Sequence, residues 1–228
     1  MDNSTLINQF LDHYWLSSGA SQNTLSAYRS DLKLFANWFD QPLTNVSDQT
    51  IKNYFEHRQL NSMSTATQAR ILTCLRAFYL HLLTSKIINQ DPTAKLHHPK
   101  QAQKLPIFLN IDEVDQLLSA PDQKTIFGQR DRAMLELLYS CGLRVSELIN
   151  LSYHNINLNE EYIRIHGKGN KERVLPMGEV AMDHLANYEK NARPYLLKNG
   201  QTDGYFLSNR GTSMSRQNFF YIIKAYAL

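Results

Sequence analysis

Apolar residues recur at helical spacing through the first 95 residues of the chain. Their grouping predicts four helices: the second is capped by Ser21 or Asn23, the third starts near Asp48, and the fourth runs from about Ser64 to Thr84. The predicted inner positions are Leu6, Phe10, Leu11 and Tyr14; Leu25, Tyr28, Leu32, Phe35 and Trp38; Ile51, Tyr54 and Phe55; and Ile71, Leu72, Leu75, Phe78, Tyr79 and Leu82. The pattern therefore indicates an all-helical domain over residues 1–95, with its aromatic residues in the core.

The helical pattern stops at Asp91-Pro92, because proline cannot continue a helix and restricts the residue before it. Residues 96–107 lack periodicity and carry Lys100 and Lys104, which is typical of an exposed, basic interdomain linker. The linker also contains the pair His97-His98. No third metal ligand stands at a suitable spacing from this pair, so the sequence predicts no metal site and no cofactor.

A second, mixed domain is predicted over residues 108–228. Asn110 and Glu113 have the spacing of a capping box. Helices are expected at about 111–119, 127–141, 145–151 and 179–191, and a final helix follows a cap at Ser215. Between the third and fourth of these helices lies a predicted hairpin. The fold class is therefore mainly α with a small β-sheet.

Composition places the chain among globular proteins, with 43% hydrophobic and 20% charged residues in 228. No apolar run approaches the roughly 20 residues of a membrane span, and the N-terminus lacks the features of a signal peptide. Two cysteines in apolar helical contexts are expected to be free core thiols. The sequence therefore predicts a cytoplasmic protein that does not insert into membranes.

The net charge of +3 and the pI of about 8.8 permit nucleic-acid binding without establishing it. The position of the cations matters more than their number. The outer face of the predicted second helix carries Arg29 and Lys33, and that of the fourth carries Arg70 and Arg76. Such charges are usually only solvated.

Two motifs each present one cation from a tight turn. Gly142 suits the left-handed conformation that closes a helix, so Arg144 is expected at a sharp corner before a new helix near Val145. Farther along, Ile163 and Ile165 alternate with polar residues ahead of a turn that carries Lys168 at its tip. A planar arginine and a point-charge lysine that converge from two elements suit the oxygens of a phosphate.

Each motif has a simpler explanation when taken alone. An arginine after a helix-ending glycine is usually structural, and a Gly-Lys-Gly turn is usually a hairpin with a soluble tip. Lys168 is also not the lysine of a phosphate-binding loop, because Gly169 stands where that motif needs Ser or Thr.

Together, however, the motifs Cys141–Leu148 and His166–Arg173 resemble those of the tyrosine recombinases of the XerC/XerD type, and more closely those of the XerD branch. The segments Asn23–Leu32 and Arg130–Leu135 extend the resemblance over the whole chain. It implies an N-terminal four-helix, SAM-like core-binding domain and an α+β catalytic domain. It also implies recombination at a site of the chromosome-dimer-resolution type, through a covalent link between DNA and a tyrosine.

The resemblance assigns roles to individual residues. Arg144 is expected to hold the non-bridging oxygens of the phosphate, and Lys168 to protonate the leaving oxygen. Glu147 is expected to orient Arg144 or to complete the helix start. The expected DNA contacts are Arg29, Lys33, Arg70, Arg76, Lys100, Lys104, Lys171 and Arg173.

The resemblance also implies partners. These are duplex DNA and a second tyrosine recombinase, in a tetramer on two DNA sites. A DNA translocase is a further candidate.

The sequence departs from the family in one respect. Tyrosine recombinases carry a His-x-x-Arg element, a second His or Trp, and a nucleophilic tyrosine beyond the matched motifs, and none of these is recognisable here. Tyr221 and Tyr226 lie on the last predicted helix and are interpreted as core or surface residues. We therefore expect a catalytic domain truncated before the second arginine and the nucleophile, and a chain that is inactive alone. The alternatives are a non-catalytic DNA-binding or regulatory module, or a helical protein-interaction adaptor.

Overall fold

The computed structural model of the chain describes residues 2–99, 108–167, 172–198 and 200–227. It divides into two compact units, Met1–Leu105 and Pro106–Leu228. Among the described residues, no helix has both the length and the apolar character needed to cross a membrane.

The first unit is built from four α-helices in its described residues, as the hydrophobic spacing predicts. Each helix begins after a side chain that accepts a hydrogen bond from a free backbone N–H of the first turn: Asp2, Ser21, Ser47 and Ser64. Of the two caps predicted for the second helix, Ser21 is the one observed. The helices are α1 (Asn3–Ser18), α2 (Gln22–Phe39), α3 (Asp48–Leu60) and α4 (Thr65–Thr84), with a 3₁₀ turn at Leu43–Asn45.

Aromatic rings fill the core of this unit. Phe10 meets Phe78 edge to face at 5.4 Å, and Phe35 meets Tyr54 in the same way at 4.9 Å. Leu96 belongs to this core although it lies one residue beyond the predicted end of the domain. The chain thus remains packed on the first unit at the start of the predicted linker, and the domain boundary at residue 95 stays a prediction.

The second unit combines short helices with one small sheet. Asn110 and Glu113 form the predicted capping box, with Asn110 Oδ1 and the Glu113 N–H 2.9 Å apart. The helices are α5 (Ile111–Ser119), α6 (Ile126–Cys141), α7 (Val145–Ile149), α8 (Glu179–Asn187), α9 (Arg193–Leu197) and α10 (Arg216–Tyr226). The strands are β1 (Ile156–Asn157), β2 (Tyr162–His166) and β3 (Glu172–Pro176).

The three strands pair antiparallel in the order β1-β2-β3. Strands β2 and β3 form the predicted hairpin, in a register that sets Ile163 opposite Leu175 and Ile165 opposite Arg173. Because side chains alternate between the faces of a strand, these four residues share one face of the sheet. Ile163 and Ile165 are fully buried on that face.

The single helix predicted at 179–191 is instead interrupted. After α8 the backbone widens into a π-helical segment, Tyr188–Ala192, before α9 begins. Pro194 lies in the first turn of α9 and has no N–H to donate to the preceding turn, which disfavours a continuous α-helix through this point. The helix predicted at 145–151 likewise ends at Ile149.

Helix α10 is anchored to the second core by Phe219, which is 0% exposed, whereas its neighbour Phe220 is 60% exposed. We expect Phe219→Ala to lower the free energy of unfolding by about 3–5 kcal/mol, because it removes a large buried side chain and leaves a cavity. Phe220→Ala serves as the matched control and is expected to change it by less than about 0.5 kcal/mol. Urea unfolding monitored by circular dichroism measures both, and equal effects would show that α10 is not docked through Phe219.

Candidate active site

A tight corner between α6 and α7 positions Arg144. Gly142 closes α6 with φ 58°, the left-handed conformation that the sequence predicts for it. Its N–H donates to the carbonyl of Leu138 within the helix-ending turn. A bare Cβ at Gly142 would meet no other atom within 4 Å, so the positive φ is what favours glycine there. Arg144 then stands immediately before α7, in an extended conformation.

The guanidinium of Arg144 extends from this corner into solvent, with 73% of the side chain exposed. Its Nη1 lies 3.0 Å from Oε1 of Glu147, and its backbone N–H donates to Oε2 of the same carboxylate at 2.9 Å. The sequence predicts one of two roles for Glu147, and the structure shows the contacts of both: it completes the start of α7 and hydrogen-bonds the Arg144 guanidinium. Among the described residues, this carboxylate is the one hydrogen-bond acceptor of the Arg144 guanidinium.

Arg173 of β3 also binds this carboxylate. Its Nη1 lies 3.0 Å from Oε1 of Glu147 and its Nη2 lies 2.8 Å from Oε2, which is a bidentate pairing. Only 7% of the Glu147 side chain is exposed. Hydrogen bonds from Arg173, and then those from the Arg144 backbone and side chain, outweigh the effect of burial and lower the pKa of Glu147 to about 2.

Several predicted site residues lie outside the described part of the chain. They are Lys168, Lys100, Lys104 and Lys171. The general-acid role of Lys168 and the DNA contacts of the other three stay predictions. Strand β3 begins at Glu172, whose carboxylate pairs with Arg164 across the hairpin at 2.9 Å.

Three of the predicted cations of the first unit are engaged within the protein. Arg70 pairs with the buried carboxylate of Asp31, Arg29 donates to Asn8, and Arg76 donates to the carbonyl of Leu96. Burial raises the pKa of Asp31 even though the charge of Arg70 opposes the shift.

Lys33 is exposed on α2 and differs from these three because no hydrogen bond or ion pair joins its side chain to another described residue. Half-buried Arg76 is not on a freely solvated outer face, contrary to the interpretation of the helical pattern. The role of these four cations as DNA contacts stays a prediction.

The two late tyrosines differ in their surroundings. Tyr226 donates its hydroxyl to Asp131 at 2.9 Å, and burial, reinforced by that carboxylate, raises the pKa of Tyr226 to about 12. Tyr221 is exposed on α10. The interpretation of these residues as core and surface positions agrees with this arrangement.

Sequence reasoning missed a buried ion pair on α6. Arg130 Nε lies 2.8 Å from Oδ1 of Asp131, and Arg130 Nη1 lies 3.0 Å from the carbonyl of Leu207. Burial raises the pKa of Asp131. The adjacent charges that open the Arg130–Leu135 motif, directly before its apolar residues, were the available signal. With Tyr226 on the same carboxylate, this pair joins α6 to α10 and to the chain before it.

It also missed the pairing of Arg173 with Glu147. The signal was the alternation of β3, in which Arg173 falls on the face of Leu175 rather than on the outer face. The DNA contact predicted for Arg173 stays a prediction. Among the described residues, no three or more His, Cys, Asp or Glu side chains are grouped to hold a metal ion.

Comparisons with known proteins agree with this architecture. The sequence pattern of the Phage integrase family matches residues 108–228, and that of the Phage integrase N-terminal SAM-like domain matches residues 7–86. The chain therefore belongs to the phage integrase family, the class of site-specific tyrosine recombinases. Its fold is an N-terminal SAM-like domain followed by the tyrosine-recombinase catalytic fold.

Its relatives include individual recombinases of known type. Tyrosine recombinase XerD of Pseudomonas putida is 42% identical over 97% of this chain and 76% of its own length. XerD of Proteus mirabilis is 44% identical over 100% of this chain and 74% of its own. A lambda integrase tetramer bound to a Holliday junction is similar in fold, with a TM-score of 0.72 at 18% identity over 99% of this chain and 64% of that one. Site-specific recombination is thus the function of the chain's family, and the alternative of a non-catalytic module is not favoured.

The low pKa of Glu147 generates a stability prediction. We expect Glu147→Gln to lower the free energy of unfolding by about 1.5–3 kcal/mol at neutral pH, because charge-assisted hydrogen bonds to two arginines are lost. The folded pKa of about 2 lies below the unfolded value. The stabilisation is therefore present above about pH 4.3 and is lost as the pH falls towards about 2, so the difference between the proteins should shrink over that range.

Urea unfolding at a series of pH values measures this difference. Glu172→Gln is the matched control, because the Glu172–Arg164 pair is about half exposed on both sides and is expected to contribute about 0.2–1 kcal/mol. An effect of Glu147→Gln that equals the control, or that does not change with pH, would contradict the prediction.

Proposed function

We propose that Arg144 is the transition-state cation of the recombination reaction and that Glu147 holds it in place. The observation that supports this is the geometry of the α6–α7 corner, where an exposed guanidinium is fixed at one edge by a nearly buried carboxylate. Charge develops on the non-bridging oxygens when phosphorus becomes pentacoordinate. A donor held ready at that position stabilises the transition state without reorganising.

The reaction proceeds without metal or cofactor in this proposal. A tyrosine hydroxyl releases its proton to solvent as its oxygen attacks phosphorus, the bond to the leaving oxygen breaks, and one DNA end is joined to the protein while the other carries a free hydroxyl. Lys168 donates the proton that the leaving oxygen needs. Because the phosphotyrosine link conserves the bond energy, the free hydroxyl of a second strand can reverse the attack.

We propose further that these 228 residues do not cleave DNA by themselves. The chain spans about three quarters of the length of its XerD relatives. The sequence has no His-x-x-Arg element. Tyr226 is a poor nucleophile because its hydroxyl is bound to Asp131 and its pKa is raised to about 12.

The proposed partners are duplex DNA and a second recombinase in a tetramer on two DNA sites. A lambda integrase of the same fold forms a tetramer on a Holliday junction, and a XerH recombinase of the same fold has been seen on its difH substrate. The proposed contacts of the N-terminal unit include Lys33 and Arg29. A DNA translocase is a further proposed partner.

The DNA contact of Lys33 can be tested on the chain as it stands. We expect the chain to bind duplex DNA with strong salt dependence, and Lys33→Ala to reduce the slope of log K against log salt by about 0.9, because one phosphate contact releases about one counterion. Lys52→Ala is the matched control, since Lys52 is already paired with Asp48 at 3.1 Å. Fluorescence anisotropy over a salt series gives both slopes, and identical slopes for the two variants would remove Lys33 from the interface.

The role of Arg144 requires a cleaving protein. We define the extended chain as these 228 residues followed by the part of Pseudomonas putida XerD that lies beyond the aligned region. On a nicked duplex carrying that relative's recombination site, we expect Arg144→Ala to slow formation of the covalent adduct by about 10²–10³-fold. DNA affinity should stay within about twofold, because this cation acts mainly in the transition state.

Arg164→Ala is the control for this experiment, because it removes an exposed arginine that pairs with Glu172 in the same sheet. It should leave the rate of adduct formation within about threefold of the parent. Loss of DNA affinity in step with loss of rate would instead assign Arg144 to ground-state binding.

A further inference from the structure

We infer that Arg173 is a positioning residue for strand cleavage: its guanidinium holds and neutralises Glu147, so that Arg144 keeps its charge for the phosphate. This inference rests on the proposed function of Arg144. It replaces a direct DNA contact, the role that the sequence alone suggests for Arg173.

The placement of Arg173 in the sheet is the first support. It is the second residue of β3 and pairs with Ile165 of β2, which is buried. Arg173 therefore projects from the core-facing side of the hairpin, together with Leu175, and 36% of its side chain remains exposed. An arginine on that face needs an anionic partner, because an unpaired charge is costly in a partly buried position.

The partner is Glu147, bound in the planar bidentate geometry that distinguishes arginine from lysine. The two nitrogen–oxygen distances are 3.0 and 2.8 Å. Both oxygens of Glu147 also accept hydrogen bonds from Arg144, one from its backbone N–H and one from its guanidinium. The carboxylate thus connects β3 to the first turn of α7 and holds the Arg144 guanidinium at one edge.

The charges of this cluster explain why a second arginine is needed. A carboxylate beside a phosphate repels it, and Glu147 with Arg144 alone forms a neutral pair. With Arg173 the cluster has two positive charges and one negative, a net charge of +1. Because Arg173 occupies both carboxylate oxygens while Arg144 uses one through its guanidinium, the surplus charge lies at the exposed side chain of Arg144.

The hairpin adds a geometric consequence. Arg173 follows Lys168 by five positions in the sequence, and its pairing with Glu147 fixes the start of β3 against the corner that carries Arg144. Loss of Arg173 should affect the rate of cleavage more than the binding of DNA.

The first experiment uses the 228-residue chain and needs no cleavage. A carboxyl-carbon NMR titration of Glu147 should give an apparent pKa of about 2 in the parent. Arg173→Ala should move the pKa up towards its ordinary value, and Arg173→Lys should move it part of the way, because lysine keeps the charge without the fork. Arg164→Ala is the control and should leave the Glu147 pKa unchanged. An unchanged Glu147 pKa in Arg173→Ala would overturn the inference.

The second experiment uses the extended chain and separates positioning from DNA contact. We expect Arg173→Ala to slow adduct formation by about 10²-fold, as misplacement of a catalytic group does, with the salt slope of DNA binding unchanged. Arg173→Lys guards against loss of folding in the alanine variant. Its rate of adduct formation should lie between those of the parent and Arg173→Ala. A salt slope reduced by about 0.9 in Arg173→Ala, and restored in Arg173→Lys, would instead show a direct phosphate contact and overturn the inference.

A double substitution completes the test. If Arg173 acts through Glu147, removing the carboxylate charge in Arg173→Ala/Glu147→Gln should recover at least about tenfold of the lost rate, whereas independent roles give additive losses. Additive losses would overturn the inference. If the unsubstituted extended chain fails to cleave, the proposed function fails. The NMR titration then still decides whether Arg173 sets the pKa of Glu147.

Discussion

One carboxylate sets the geometry of the catalytic unit. Glu147 accepts hydrogen bonds from the backbone and guanidinium of Arg144 and a bidentate pair from Arg173, and its pKa of about 2 keeps it charged under physiological conditions. A buried carboxylate is tolerated only when it is paired in this way. This need for paired cations fixes the start of α7, the start of β3 and the direction of the exposed Arg144 side chain at the same time.

The N-terminal unit uses its charges differently. Asp31 is buried and paired with Arg70, while Arg29 and Arg76 are bound to uncharged oxygens of the protein. A cation that already donates to the protein has fewer N–H groups for DNA and loses less freedom when DNA arrives. Of the four cations predicted as DNA contacts in this unit, Lys33 is the one whose side chain no hydrogen bond or ion pair joins to another described residue. The family explains why both arrangements occur in one chain, since a recombinase must first hold a duplex and then act on one phosphate.

The sequence was most informative where local rules decide. Ser21, Asn110 and Ser215 cap helices as their side chains predict, and Gly142 takes the left-handed conformation that the motif requires. Non-local effects were harder to predict. The π-helical segment before Pro194 interrupts a regular apolar pattern, and the Arg173–Glu147 pair joins residues 26 positions apart through the register of the hairpin. Membership of the family was readable because two motifs coincide, whereas the role of Lys168 rests on the resemblance.

The most direct test of this account is a crystal structure of the extended chain on duplex DNA, with vanadate in place of the scissile phosphate. The account predicts guanidinium nitrogens of Arg144 at about 2.7–3.0 Å from vanadate oxygens, with Glu147 still bridging Arg144 and Arg173. Arg173 should make no contact with the vanadate. A structure in which Arg144 turns away from the vanadate, or in which Arg173 leaves Glu147 to bind it, would contradict the account.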